Sequence, residues 1–157
     1  MLCKDILKKH NLDNIILEEF NDPTYVMSYN HRDKTIRFNR DTLFKDYKNT
    51  SYGLSFDEYI VIIMYHEIGH ALDGSMDLIM QRISVYEETI INNFGSENDY
   101  GYQRQQIIDD YMTLEINAWK IAEALIAEVY LMTEFHNIKN DSLEESEKFI
   151  RDKIWRL

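Results

Sequence analysis

The chain has 157 residues, 45% of them hydrophobic and 29% charged, a composition that fits one soluble domain, spanning 1–157, with enough length to bury a core. A net charge of −11 disfavours nucleic-acid binding, which needs clustered cations, and makes a basic peptide or protein surface the more compatible partner. Cys3 is the only cysteine, the first residues lack an apolar secretory core, and the longest uninterrupted apolar run, 59–65, is too short to span a bilayer; a cytoplasmic protein with no membrane segment is expected.

Residues 5–20 read as an amphipathic helix with Ile6, Leu7, Leu12, Ile15 and Ile16 as apolar positions, a break point near Asn11, and an end at Asn21-Asp22-Pro23. Residues 24–30 (TYVMSYN) are rich in strand formers, 30–33 look like a turn, and 34–39 (KTIRFN) alternate, with Ile36 and Phe38 opposite Arg37. A β-hairpin is predicted. Its second strand comes shortly before the central helix, where it either offers an edge to an extended peptide or simply covers the core.

Residues 41–47 form a short helix or turn and 49–53 a loop. Ser55 and Glu58 make a capping box that opens a helix running to about Asp73, with Gly74 placed to follow its end. A further helix covers 77–94 and stops at Gly95, with a loop over 96–101. The pattern over 102–136 is helical with a break or bend, 137–141 is a loop, and Ser142 with Glu145 caps a terminal helix over 143–155. The fold class expected is α+β, mostly helical, with a small hairpin or sheet beside the central helix.

That central helix carries the chemistry. Residues 59–72 read YIVIIMYHEIGHAL, apolar on every side, and the only strongly polar members are His66, Glu67 and His70. Burying three ionisable groups is costly unless something satisfies them, and a cation would. His66 and His70 are one turn apart on one face, so two imidazoles can grip one tetrahedral Zn²⁺. Glu67 lies about 100° round the helix from His66, beside the metal, where a general base for an activated water belongs. The segment matches the H-E-x-x-H pattern. Gly69, between the ligands, leaves room for a neighbouring strand or a substrate.

A catalytic zinc usually has a third protein ligand. The best candidate is Glu115. Ala118, Trp119, Ala122, Leu125, Ile126 and Val129 form a helical apolar stripe that, extended back one step, begins at Glu115, so its carboxylate faces inward. Asp73 competes, being on the face of His70 and His66; it reads as a partner holding the His70 tautomer, as a helix-end residue, or as the third ligand itself. Tyr111 is one turn before Glu115, and its phenol is a candidate to stabilise a developing oxyanion, against the plainer reading of one core or surface tyrosine among eleven.

His66-Glu67-Ile68-Gly69-His70 followed by Glu115-x-x-Ala118-Trp119-x-x-Ala122-x-x-Leu125 resembles the short gluzincin metallopeptidases, and among them the ImmA/IrrE family. The resemblance covers roughly residues 35–131. It implies a minimal zincin-like domain, His66, His70 and Glu115 as zinc ligands, Glu67 as catalytic base, and a cytoplasmic protein substrate. The chain departs from that family in carrying Trp119 where Asn is often found and in lacking a later Met-Pro. The leading expectation is therefore a zinc-dependent endopeptidase. A deformylase-like amidase would want a cysteine ligand, and Cys3 stands in no such motif. A non-catalytic metal-stabilised interaction module of phage or mobile-element type would not need Glu67.

Overall fold

The computed structural model describes residues 2–23, 26–92 and 100–157. In chain order these form α1 (Leu2–Lys9), β1 (Ile16–Glu19), β2 (Met27–Asn30), β3 (Thr35–Phe38), α2 (Arg40–Asn49), α3 (Phe56–Leu72), α4 (Met76–Asn92), α5 (Gly101–Leu125), a 3-10 turn (Val129–Leu131) and α6 (Met132–Ile154). The fold is α+β and mostly helical, with one small sheet. Among the described residues no helix is long and apolar enough to cross a membrane.

The N-terminal segment is not one helix. Asn11 adopts a left-handed φ of 56°. Leu12 N–H then reaches back to Leu7 O at 2.9 Å and Asn11 N–H to Lys8 O at 3.1 Å. That pair of bonds is a Schellman ending, and it stops α1 at the break point read near Asn11. Beyond it the side chains alternate as in a strand: Ile15 is buried, Ile16 is 59% exposed, and Leu17 packs on the core.

The predicted hairpin is present as β2 and β3, joined antiparallel with Tyr29 opposite Ile36, and β1 joins it parallel to β3. Thr24 and Tyr25, at the start of the expected first strand, lie outside the described residues. The sheet order is β1-β3-β2. The strand nearest the central helix in sequence, β3, is therefore the middle strand and has no edge to offer; the strand that borders α3 is β2.

Ser55 and Glu58 form the expected capping box at the head of α3. Ile62, Met64, Tyr65 and Ile68 are each 0–1% exposed, so α3 is the core helix, enclosed by α1, α2, β2 and α5. Asp73 is its C-cap, and Gly74 follows without a left-handed φ. The helix read over 77–94 is α4; Phe94, Gly95 and the start of the predicted loop after them lie outside the described residues.

The predicted 137–141 loop does not exist, because α6 runs through it unbroken, and Ser142 and Glu145 sit mid-helix rather than at a cap. Phe135 and Ile138 anchor the first half of α6 and Ile150 and Ile154 the second. The polar residues between them cost only a few tenths of a kcal/mol each in helix propensity. The bend expected within 102–136 falls after Leu125, so Val129 drops off the apolar stripe and is 83% exposed.

Where α3 and α5 cross they nearly touch. A Cβ at Gly69 would lie 2.1 Å from the Ala118 backbone oxygen and 2.7 Å from its carbonyl carbon. The room left by Gly69 is thus filled by helix α5, not by a strand or a substrate. Ala118 is one turn after Glu115, so this close crossing lowers Glu115 onto the histidines. Gly69→Ala is expected to push the helices apart, to destabilise the protein by about 3 kcal/mol or more, and to weaken metal binding with it. Thermal melts with and without zinc check this; a melt unchanged in both conditions would show that the crossing tolerates a methyl group.

Candidate metal centre

His66 and His70 come from α3 and Glu115 from α5, and each presents one ligand atom within 4.8 Å of the others. His66 Nε2 and His70 Nε2 are 3.2 Å apart. Glu115 Oε2 is 3.4 Å from His66 Nε2, and its Oε1 is 3.4 Å from His70 Nε2. An ion with tetrahedral ligands at about 2.0–2.1 Å requires ligand atoms about 3.3–3.4 Å apart. The His66–His70 separation is close to one such edge, Glu115 sets a different oxygen against each nitrogen, and two imidazoles with one carboxylate are a donor set that suits zinc.

The electrostatics agree. The histidine side chains are 9% and 11% exposed and that of Glu115 is 23% exposed. Burial works against ionising Glu115, but hydrogen bonds from His66 and His70 outweigh it and hold the carboxyl well below its usual range. Burial likewise works to lower His70, and its hydrogen bond to Glu115 with the charges of Glu67 and Glu115 overcomes this and raises it. The cluster thus holds an anionic carboxylate against two nitrogens that converge on one point.

Glu67 is 5% exposed, and burial pushes its carboxyl up despite the nearby imidazoles. Its Oε2 accepts the Tyr29 backbone N–H at 2.6 Å. Among the described residues Oε1 has no hydrogen-bond partner, leaving that oxygen available to a water in the cleft.

The expected competitor for the third position, Asp73, is not in the cluster. Its Oδ1 accepts from Ser75 N and Oγ at 2.9 and 2.6 Å, and its Oδ2 accepts from Asn117 at 3.2 Å. These bonds keep its carboxyl below the usual range despite burial. It ends α3 and ties that end to α5, and among the described residues His70 Nδ1 has no hydrogen-bond partner. Glu115→Ala is accordingly expected to weaken zinc binding at least about ten-fold, and Asp73→Ala to weaken it less. Competition titrations with a chromophoric chelator separate the two; the reverse order would exchange their roles.

Tyr111 lines the same cleft as Glu115, but its phenol interacts with Glu87 on α4. Burial and the Glu87 carboxylate push the phenol up to about 12. This gives its hydroxyl a partner away from the histidines, so the oxyanion role read for it has no support in its contacts.

The histidines line a cleft of about 940 Å³. Its lining includes Met27, Tyr29 and His31, at the edge strand β2 and just beyond it, and the acidic Asp46, Asp141, Glu144 and Glu145 with Lys148 among them. A smaller recess of about 220 Å³ adjoins Glu115 and Tyr111 between α5 and α6. Two features of the site escaped sequence reading. The Tyr29 bond to Glu67 involves a backbone group, which no side-chain pattern announces. Trp119, placed only in the apolar stripe, stacks on His66 with ring centroids 4.3 Å apart at 26°. The i, i+4 spacing of Glu115 and Trp119 was the available signal.

Comparison with known protein families, with curated proteins and with solved structures finds no match to this chain.

Proposed function

We propose that the chain is a zinc-dependent endopeptidase acting on a cytoplasmic protein or peptide, of the short gluzincin type that the ImmA/IrrE resemblance suggests. The observation that carries this reading is the convergence of His66, His70 and Glu115, each with one ligand atom within 4.8 Å of the others, with Glu67 beside them.

His66, His70 and Glu115 would hold the zinc, which when bound supplies Lewis acidity and makes a water acidic enough to attack near neutral pH. Glu67 takes the proton of the attacking water on its free Oε1 and returns it to the leaving amine. Its raised proton affinity suits this exchange, while the Tyr29 N–H keeps Oε2 in place. A substrate chain would lie along β2. The Tyr29 N–H faces the cleft, Met27 is on the same side by alternation, and the Val26 carbonyl turns inward to accept from Asn39. The Met27 main-chain groups and the Tyr29 carbonyl, on that same side, can therefore pair with an extended peptide, while the Tyr29 N–H stays on Glu67. The acidic residues of the lining and the charge of −11 favour basic side chains in that peptide.

One observation favours the non-catalytic module as a second reading. The Tyr29 bond gives Glu67 a structural job, so its presence does not by itself require chemistry. A digest of a denatured protein or a basic peptide library, read by mass spectrometry, tests the main reading. Cleavage that a chelator stops and added zinc restores is expected; cleavage indifferent to chelation would remove it.

A further inference from the structure

We infer that Trp119 is a positioning residue for the ligand His66, holding its imidazole by stacking where metal-bound histidines are ordinarily held by a hydrogen bond; this rests on the metal-centre reading above. A ligating histidine normally donates its second ring nitrogen to a carboxylate or carbonyl, which fixes both tautomer and ring plane. His66 Nδ1 is buried and has no such partner among the described residues. What it has is the indole of Trp119, fully buried and nearly parallel to it at 4.3 Å. Phe135 from α6 meets the indole edge-on at 5.4 Å and 76°. His70 in turn meets His66 at 4.6 Å and 75°. Four rings from three helices thus run without a gap from α6 to the candidate metal.

The indole is a costly choice for mere filling. Its Nε1 is buried with no partner among the described residues, a loss of about 1–3 kcal/mol that a leucine or phenylalanine would avoid. The π face offers something in return. An imidazole gains positive character when it binds a cation, and an electron-rich indole against it then attracts more strongly. Stacking is therefore strongest in the metal-bound state, which is the condition for raising metal affinity rather than only packing the core.

Cobalt(II) is the probe. Trp119 and Trp155 are the only tryptophans, and Trp155 is 55% exposed beside Arg104, so Trp155→Phe isolates the Trp119 emission without touching the core. Cobalt binding, measured separately by equilibrium dialysis, is expected to extinguish that emission in step with occupancy, since a paramagnetic ion held by the stacked ring lies within quenching reach. Trp119→Leu is expected to bind cobalt about ten-fold more weakly and to alter its visible spectrum, the range seen when outer partners of a ligand are lost. Trp119→Phe, which keeps a ring, should recover most of the affinity. Cobalt bound with Trp119 emission intact, or Trp119→Leu folded and binding with wild-type affinity and spectrum, would overturn the inference while leaving the metal site standing. No cobalt bound by the wild type would remove the metal reading and this inference with it. Should Trp119→Leu fail to fold, Trp119→Met, which also removes the ring, is put through the same cobalt titration and spectrum.

Discussion

Replacing His66 and His70 together by alanine is expected to abolish stoichiometric zinc binding, with affinity falling at least about a thousand-fold. Two of the three donors disappear, and the remaining Glu115 offers one carboxylate that no longer has converging nitrogens opposite it. The loss should be visible in stability as well as in bound metal. Zinc at a thousand times its dissociation constant stabilises a fold by about 4 kcal/mol, so the wild-type melting temperature should climb with added zinc and that of the variant should not. A second signature is expected in the metal-free proteins. In the wild type Glu115 is held below its usual range by the two imidazoles, so it contributes stability above its unfolded value that is lost as pH falls through the folded one. Without the imidazoles burial alone remains, and that acid-side contribution should vanish. Elemental analysis after dialysis, with melts across pH and zinc concentration, measures both. One zinc per chain at wild-type affinity in the double variant would place the metal elsewhere.

The central site was legible because the sequence contradicts itself there. An apolar helix interrupted by His66, Glu67 and His70 makes sense only if those groups converge on something, and Glu115 heads an apolar stripe for the same reason. The sheet was less legible. Leu12, Ile15 and Ile16 satisfy a helical period as well as a strand that alternates from Ile15, and what decided between them was the left-handed turn at Asn11. The α6 loop was misplaced because Asn137, Asn140, Asp141 and Ser142 are residues of turns, yet between two buried anchors they ride on a helix. Which strand borders α3 could not be read either. It depends on β1 pairing with β3 from the far side, a long-range contact with no local mark. The same limit hid the Tyr29 bond, since the register of β2 decides which backbone N–H faces α3.

That bond sharpens the test of catalysis at Glu67. Before the fold is known, Glu67→Gln asks only whether a base is needed. With Tyr29 N–H on Oε2, the substitution becomes a selective one: the introduced amide carbonyl can still accept from Tyr29, so the structural contact survives and only the proton-accepting carboxylate is lost. The variant is therefore expected to fold and bind zinc like the wild type and to hydrolyse peptide at least about 100-fold more slowly. Glu67→Ala is the complementary change. It strips the Tyr29 N–H of its acceptor and leaves a cavity, so it should lower stability by about 1–3 kcal/mol in addition to removing the base. The pair separates the two roles. If Glu67 serves only to hold β2 against α3, Glu67→Gln leaves hydrolysis unchanged while Glu67→Ala loosens the edge strand. If it is the base, hydrolysis falls to the same floor in both, whatever their stabilities. Digests of a denatured protein by wild type and both variants, each zinc-loaded and chelated, give the comparison. Hydrolysis that persists in Glu67→Gln and under chelation would end the peptidase reading, because neither the metal nor the carboxylate would then be carrying the chemistry.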